Sequence, residues 1–271
     1  MYKKEVNKKG QSFYYYEYGA ENSQILLFLP GYADSALMYD RLGRSLAKSY
    51  RVIALDLPMI HNPDRIYTLD GLTKFVRDFV KKVEINNFTI SGFSSCGMVA
   101  INYTYYNSDH VKELILLNSV PRFILSRPLR KFYLKVKPVL LTRAILLFDS
   151  KLNTTKLVRK ILKLPRVSHF TRARMRKYYY SVFGTALNLY GESLLTKFKN
   201  IKVPRSIIFF KDDTIIPWSR YQDFVESLDC RIIVFSEGLH ADKKIYWEKL
   251  KSLWLKHPEI EYQKVSIEKG R

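Results

Sequence analysis

The stretch Phe88-Thr89-Ile90-Ser91-Gly92-Phe93-Ser94-Ser95-Cys96-Gly97-Met98-Val99-Ala100 decides how the rest of the chain is read. Phe88 to Ile90 is a short apolar run suited to a buried strand, Gly97 to Tyr106 carries helical spacing, and small residues join the two. A strand that enters a helix through so tight a turn holds one residue in a strained backbone conformation at the carboxyl edge of the sheet. The residues two before and two after it must be small, because their Cβ atoms crowd the turn. Ser94 has Gly92 and Cys96 at those places. Ser95 is the rival, with Gly97 two residues on, but Phe93 would then occupy the crowded position, so Ser94 is preferred.

The same alternation extends outward in both directions. Upstream, Glu5-Val6 and Ser12 to Tyr18 read as a hairpin through Asn7 to Gly10. Ile25 to Leu29, Val52 to Leu55 and Leu114 to Leu117 read as buried strands, with helical spacing over Ala36 to Lys48 and Leu69 to Val83. Downstream come a strand at Ile207 to Phe210, a helix near Arg220 to Leu228, a strand at Ile232 to Phe235, and a last helix from Lys243 to about Lys256. Short apolar runs alternating with helices predict an α/β fold with a mostly parallel sheet and crossover helices.

Composition bounds this reading. A chain of 271 residues, 47% hydrophobic with 11 Gly and 10 Pro, is long enough to bury a full core and excludes disorder and fibrous repeats. Its two cysteines, Cys96 and Cys230, make neither a disulfide framework nor a zinc-binding cluster, which fits a reducing compartment. Met1 to Ala20 lacks an apolar signal region, and no run reaches the roughly 18 to 20 uncharged residues needed to span a bilayer. A cytoplasmic protein, peripheral at the membrane if attached at all, is the expectation.

The net charge of +21 is unevenly placed. Pro121 to Val203 holds 20 Lys or Arg against two acids, Asp149 and Glu192, whereas the other 188 residues carry 26 bases and 23 acids. The expected organisation is therefore a core of residues 1–120 and 204–271 interrupted by a basic segment, 121–203, with a partner of its own. Apolar clusters such as Ile145-Leu146-Leu147-Phe148 and Ile161-Leu162, spaced by Lys and Arg, read as amphipathic helices broken at Pro138 and Pro165.

Gly92-Phe93-Ser94-Ser95-Cys96-Gly97 resembles the G-x-S-x-G elbow of the α/β-hydrolase superfamily, with Cys96 in place of the second glycine and Ala100 further along the helix. The resemblance covers nearly the whole chain outside the basic segment. It implies a mostly parallel eight-stranded sheet flanked by helices, a helical cap in the basic segment, and a serine, acid and histidine in that chain order. Phe210-Lys211-Asp212-Asp213-Thr214-Ile215-Ile216-Pro217 is similar to the family's acid turn at Asp213 and Pro217, with Asp212 the weaker candidate. Ser236-Glu237-Gly238-Leu239-His240 follows the last strand, which makes His240 the implied histidine.

These three types suit one chemistry. A serine hydroxyl is a poor nucleophile at neutral pH; the histidine takes its proton as general base, and the aspartate fixes the imidazole tautomer and stabilises the imidazolium. The family's oxyanion donors correspond to the backbone N–H of Ser95 and of Tyr32, in Leu29-Pro30-Gly31-Tyr32, where Gly31 keeps the backbone open. His61, after Asp56-Leu57-Pro58-Met59-Ile60, falls in a loop that borders the family's active site, so Gly31 and His61 are the candidate substrate contacts. His110, His169 and His257 lack such context and read as surface residues.

The resemblance implies a carboxylic ester hydrolase acting through an acyl-enzyme, with an acyl or lipid-like ester as small-molecule substrate. The basic segment then favours an anionic membrane surface or an acidic carrier protein as partner. Nucleic acid is the alternative of a different class. Arg172, Arg174, Arg176 and Lys177 run into Tyr178-Tyr179-Tyr180, but no recognised nucleic-acid motif accompanies them. On that alternative the chain is a non-catalytic binder of anionic surfaces on a hydrolase scaffold. No phosphate-binding glycine loop or calcium loop is present in the sequence, so no cofactor or metal is expected.

Overall fold

The computed structural model describes residues 2–8, 10–31, 34–63, 65–123 and 192–235, and all but 183 and 187 between 181 and 189. An eight-stranded sheet runs through them: β1 (Tyr2–Lys8), β2 (Gln11–Tyr18), β3 (Ile25–Leu29), β4 (Arg51–Leu55), β5 (Phe88–Phe93), β6 (Val111–Leu117), β7 (Arg205–Phe210) and β8 (Arg231–Phe235). Its order is β1-β2-β4-β3-β5-β6-β7-β8. β1 and β2 join antiparallel, and every pairing from β4 across to β8 is parallel.

Why the central strands read as unbroken apolar runs is visible in how each one divides between two cores. Leu27, Leu29, Ile53, Leu55, Ile90, Leu114, Leu116, Ile207 and Phe209 point into one cluster. Leu26, Phe28, Val52, Ala54, Ile115, Leu117, Ile208 and Phe210 point into the other. A parallel sheet covered on both faces needs apolar side chains at both parities of the strand.

The helices flanking the sheet include α1 (Asp40–Leu46), α2 (Pro58–His61), α3 (Leu69–Val83), α4 (Cys96–Tyr106), α5 (Leu195–Asn200) and α6 (Trp218–Glu226). The expected helix over Ala36 to Lys48 is instead a 3-10 turn at Ala36–Tyr39 followed by α1, because the Asp56 carboxylate accepts from the Ala36 N–H and the Ser35 hydroxyl and sets where the helix begins. The opening strands are longer than expected and leave only Lys9 and Gly10 between them, with Gly10 at φ 78°.

α3 runs over the expected residues. Thr68 caps it, its Oγ1 accepting from the Gly71 N–H at 3.1 Å, and Glu84 in the left-handed region at φ 54° ends it. Leu69, Leu72, Phe75, Val76, Phe79 and Val80 recur at three- and four-residue spacing and are buried. Phe79 meets Phe13 and Tyr15 of β2, ring centroids 5.8 and 5.1 Å apart. α4 is buried from Cys96 to Thr104, as a helix apolar on all sides must be.

The basic segment leaves and rejoins the sheet at one place. Arg122 bridges Ser193, and the Leu194 N–H donates to the Pro121 carbonyl at 2.8 Å. On the return, Val182, Ala186, Leu189, Leu194, Phe198 and Ile201 sit in the larger core cluster. Thr185 and Asn188 also hydrogen bond the Tyr67 backbone, each at 3.0 Å. The charge boundary is thus not a packing boundary. The sequence-predicted helices between 124 and 180 and from Lys243 onward lie outside the described residues. Among the described residues no helix is long and apolar enough to cross a membrane.

Truncating Phe79 leaves a void between α3 and the hairpin, so Phe79→Ala is expected to cost about 3–5 kcal/mol in urea denaturation. A loss below about 1 kcal/mol would mean that this face of α3 is not buried as described.

Candidate active site

Ser94 follows β5 directly and has φ 54°, one of four non-glycine residues with positive φ among the described ones. Ser95, its rival, has an ordinary right-handed backbone, φ −62° and ψ −20°, and caps α4. The strained position is therefore Ser94. Its N–H donates to the Leu117 carbonyl at 2.9 Å, and its carbonyl accepts from the Gly97 N–H at 3.1 Å. A Cβ on Gly92 would lie 2.6 Å from the Cys96 carbonyl oxygen and from the Gly97 Cα, so the elbow closes only around a residue without a side chain.

Cys96, where the family's second glycine stands, is fully buried. Burial, reinforced by the Asp34 carboxylate, pushes its thiol well above the ordinary range, so it stays protonated and does not compete as a nucleophile.

Two strands away, Asp213 lies in the turn after β7 and is 1% exposed. Its Oδ1 accepts from the Ile215 and Ile216 N–H groups at 2.7 and 2.8 Å, and its Oδ2 accepts from Asn118 Nδ2 at 2.5 Å. Asp212 is exposed. The Lys211 N–H donates to the Phe235 carbonyl at 2.9 Å, tying this turn to the end of β8, from which the chain runs on toward residue 240. Tyr32 and His240 lie outside the described residues.

The loop that carries Tyr32 is anchored on both sides. The Asp34 N–H donates to the Gly31 carbonyl at 2.8 Å, and Asp56 holds Ser35 Oγ at 3.1 Å. Gly31 lies against Phe93, the residue before Ser94; a Cβ there would come within 3.2 Å of that ring. Ser95 begins α4, whose first N–H groups have no partner within the helix, a suitable setting for an oxyanion donor.

His61 behaves differently from the rest. Its Nε2 lies 2.8 Å from Asp56 Oδ2, and its ring centroid is 4.0 Å from that of Tyr14. It faces a cavity of about 510 Å³ shared with Tyr14, Asp56, Arg65, Tyr67 and Phe75. Neither Gly31 nor Ser94 is among that cavity's described lining residues. Among the described residues, no group of three His, Cys, Asp or Glu is placed to hold a metal ion.

Sequence reasoning did not single out Asn118 or Asp56. Asn118 follows an apolar strand, where asparagine reads as a turn residue; its left-handed backbone and buried carboxylate partner come only from the fold.

A family model described as the alpha/beta hydrolase fold matches residues 24–242. The chain belongs to this α/β-hydrolase fold family. Among curated proteins, this α/β-hydrolase is 24% identical over 139 residues to the uncharacterized hydrolase YugF of Bacillus subtilis, covering 47% of this chain and 51% of that one. It is 28% identical over 103 residues to the pimeloyl-[acyl-carrier protein] methyl ester esterase of Nitrosomonas europaea, covering 38% and 40%. The matches thus span about half or less of those relatives' length. Among solved structures, the α/β-hydrolase enzyme MGS-M2 from a Medee basin deep-sea metagenome library superimposes with a TM-score of 0.72 at 16% identity, covering 96% of this chain and all of that one.

The strain at position 94 has a measurable sign. Left-handed backbone disfavours a Cβ by roughly 1–2 kcal/mol, so Ser94→Gly is expected to be more stable than Ser94→Ala by about 1 kcal/mol, the reverse of their order within a helix. Denaturation midpoints of the two variants check this, and an Ala variant equal to or above Gly would contradict the elbow.

Proposed function

We propose that the protein is a serine hydrolase of carboxylic esters. The observation that carries this reading is Ser94 held in left-handed backbone at the carboxyl edge of β5, with the anchored carboxylate of Asp213 on the same edge of the sheet at β7. His240 is the base that chain order supplies.

In the proposed reaction, Ser94 Oγ attacks the ester carbonyl carbon while His240 accepts its proton, and the Tyr32 and Ser95 amides stabilise the resulting oxyanion. Collapse of the tetrahedral intermediate breaks the carbon–oxygen bond to the leaving group, which takes the proton from His240. Water then attacks the acyl-enzyme, giving up its proton to His240, and release of the acid returns that proton to Ser94. Asp213, held in place by its two backbone N–H donors, orients the imidazole and stabilises the imidazolium.

The substrate class proposed is an acyl or lipid-like ester presented by an anionic partner, either an acidic carrier protein or a bilayer surface. The basic charge of Pro121 to Val203 supports an anionic partner, and similarity to an esterase that acts on an acyl-carrier-protein ester supports the acyl class.

A fluorophosphonate probe is expected to label the wild-type chain at Ser94 and to leave Ser94→Ala unlabelled. Ester turnover should fall about 10⁶-fold in Ser94→Ala and about 10⁴-fold in Asp213→Asn. Full esterase activity in Ser94→Ala would end the assignment, and salt-sensitive binding of random DNA without labelling would favour a non-catalytic binder. For the partner, sedimentation with phosphatidylglycerol vesicles should show binding that weakens as salt rises; equal affinity for neutral phosphatidylcholine vesicles would count against an anionic surface.

A further inference from the structure

One buried polar group beside Asp213 has no part in the reaction just described. Asn118 directly follows β6, is fully buried, and has φ 39°. Its N–H donates to the Ile208 carbonyl at 2.8 Å, which locks its backbone to β7. Its side-chain Oδ1 accepts from the Phe210 N–H at 3.0 Å, and its Nδ2 donates to Asp213 Oδ2 at 2.5 Å. The amide cannot be turned over. Phe210 N–H can only donate, so the amide oxygen faces it and the NH₂ faces the carboxylate.

We propose that Asn118 is the positioning residue for the acid of the triad, holding the Oδ2 edge of Asp213 while the Ile215 and Ile216 amides hold Oδ1. This rests on the serine-hydrolase reading. Position 118 makes three demands at once: tolerance of left-handed backbone, an acceptor toward β7 and a donor toward Asp213. Glycine meets the first alone. Aspartate meets the first two but offers an acceptor where a donor is needed, and asparagine meets all three. The residue before it serves the nucleophile, since the Leu117 carbonyl accepts from the Ser94 N–H. One short segment, Leu117-Asn118, thus holds both Ser94 and Asp213 in place.

The chemistry of an Asn118→Asp variant follows from this geometry. Its second oxygen would face Asp213 Oδ2 at hydrogen-bond distance, and two carboxylates so close cannot both be ionised; they share a proton. With that proton bound, the introduced carboxyl group donates as the amide did. As pH rises and the proton is lost, repulsion displaces Asp213, so activity falls on the alkaline side where the wild type keeps its plateau. Other charges on the acid turn, Lys211 and Asp212, are exposed, and neither the Ser94 elbow nor the Asn118-Ser119-Val120 segment brings a charged side chain. His240, the triad base, is common to both proteins.

The test compares the full-length wild type, Asn118→Asp and Asn118→Gly, measuring kcat and KM for a nitrophenyl ester from pH 5 to 10, with circular dichroism melts as the control on folding. Asn118→Asp is expected to approach wild-type kcat at low pH and to lose about 10- to 100-fold at high pH, with KM changed by no more than about twofold. Asn118→Gly accommodates the backbone and is expected to lose kcat at every pH, which decides the matter should the Asp variant fail to fold. Profiles for both variants that superimpose on the wild type overturn the positioning role, as does a change confined to KM. A wild type that neither hydrolyses esters nor reacts with a fluorophosphonate sinks the hydrolase reading itself, a result distinct from an active wild type with indifferent variants.

Discussion

The left-handed backbone of Ser94 is the constraint around which this end of the molecule is arranged. A non-glycine residue at φ 54° costs free energy that the surroundings must offset, and each neighbour contributes to holding it. Gly92 vacates the space the turn needs, the Leu117 carbonyl receives the Ser94 N–H, and α4 starts immediately so that its buried face clamps the far side. Gly97 lets that clamp close, because a Cβ there would collide with Ser119 Oγ. The parallel sheet supplies the rigid platform: β5 lies between β3 and β6 and is buried along its full length.

From that point the edge of the sheet is stitched strand to strand by groups that lie beyond the ladders. Ser94 joins the end of β6, Asn118 joins the end of β7, and Lys211 joins the end of β8. On the other side, Asp56 at the end of β4 gathers Ser35, Ala36 and His61 around one carboxylate. Polar groups buried at a sheet edge are costly unless partnered, and the Asp56 and Asp213 carboxylates and the Asn118 amide are each held by backbone or side-chain groups. The described residues at this edge are thus tied to one another beyond the ladders.

Much of this was legible in the chain. Strands covered on both faces leave apolar runs such as Ile25 to Leu29 and Ile207 to Phe210, and α3 announces itself by regular spacing from Leu69 to Val83. Small residues around Ser94 marked the strained turn because only small residues fit there. What stayed hidden depends on tertiary contact. Asn118 is distant in sequence from Asp213, and nothing local distinguishes it from an ordinary turn asparagine. The 3-10 turn at Ala36–Tyr39 owes its place to a carboxylate twenty residues on, which periodicity cannot register. Lys and Arg counts drew a boundary at Val203, whereas Leu194, Phe198 and Ile201 pack with the sheet, because charge reports on what faces water and not on what lies beneath.

The antiparallel bridge between Arg122 and Ser193 sets two points of the long basic stretch, far apart in sequence, side by side next to the sheet. Chain inserted between two points held side by side can lengthen, shorten or change its charge during descent without forcing the sheet to re-register. The sheet and the inserted chain can therefore diverge at different speeds, with the stitched edge inherited intact.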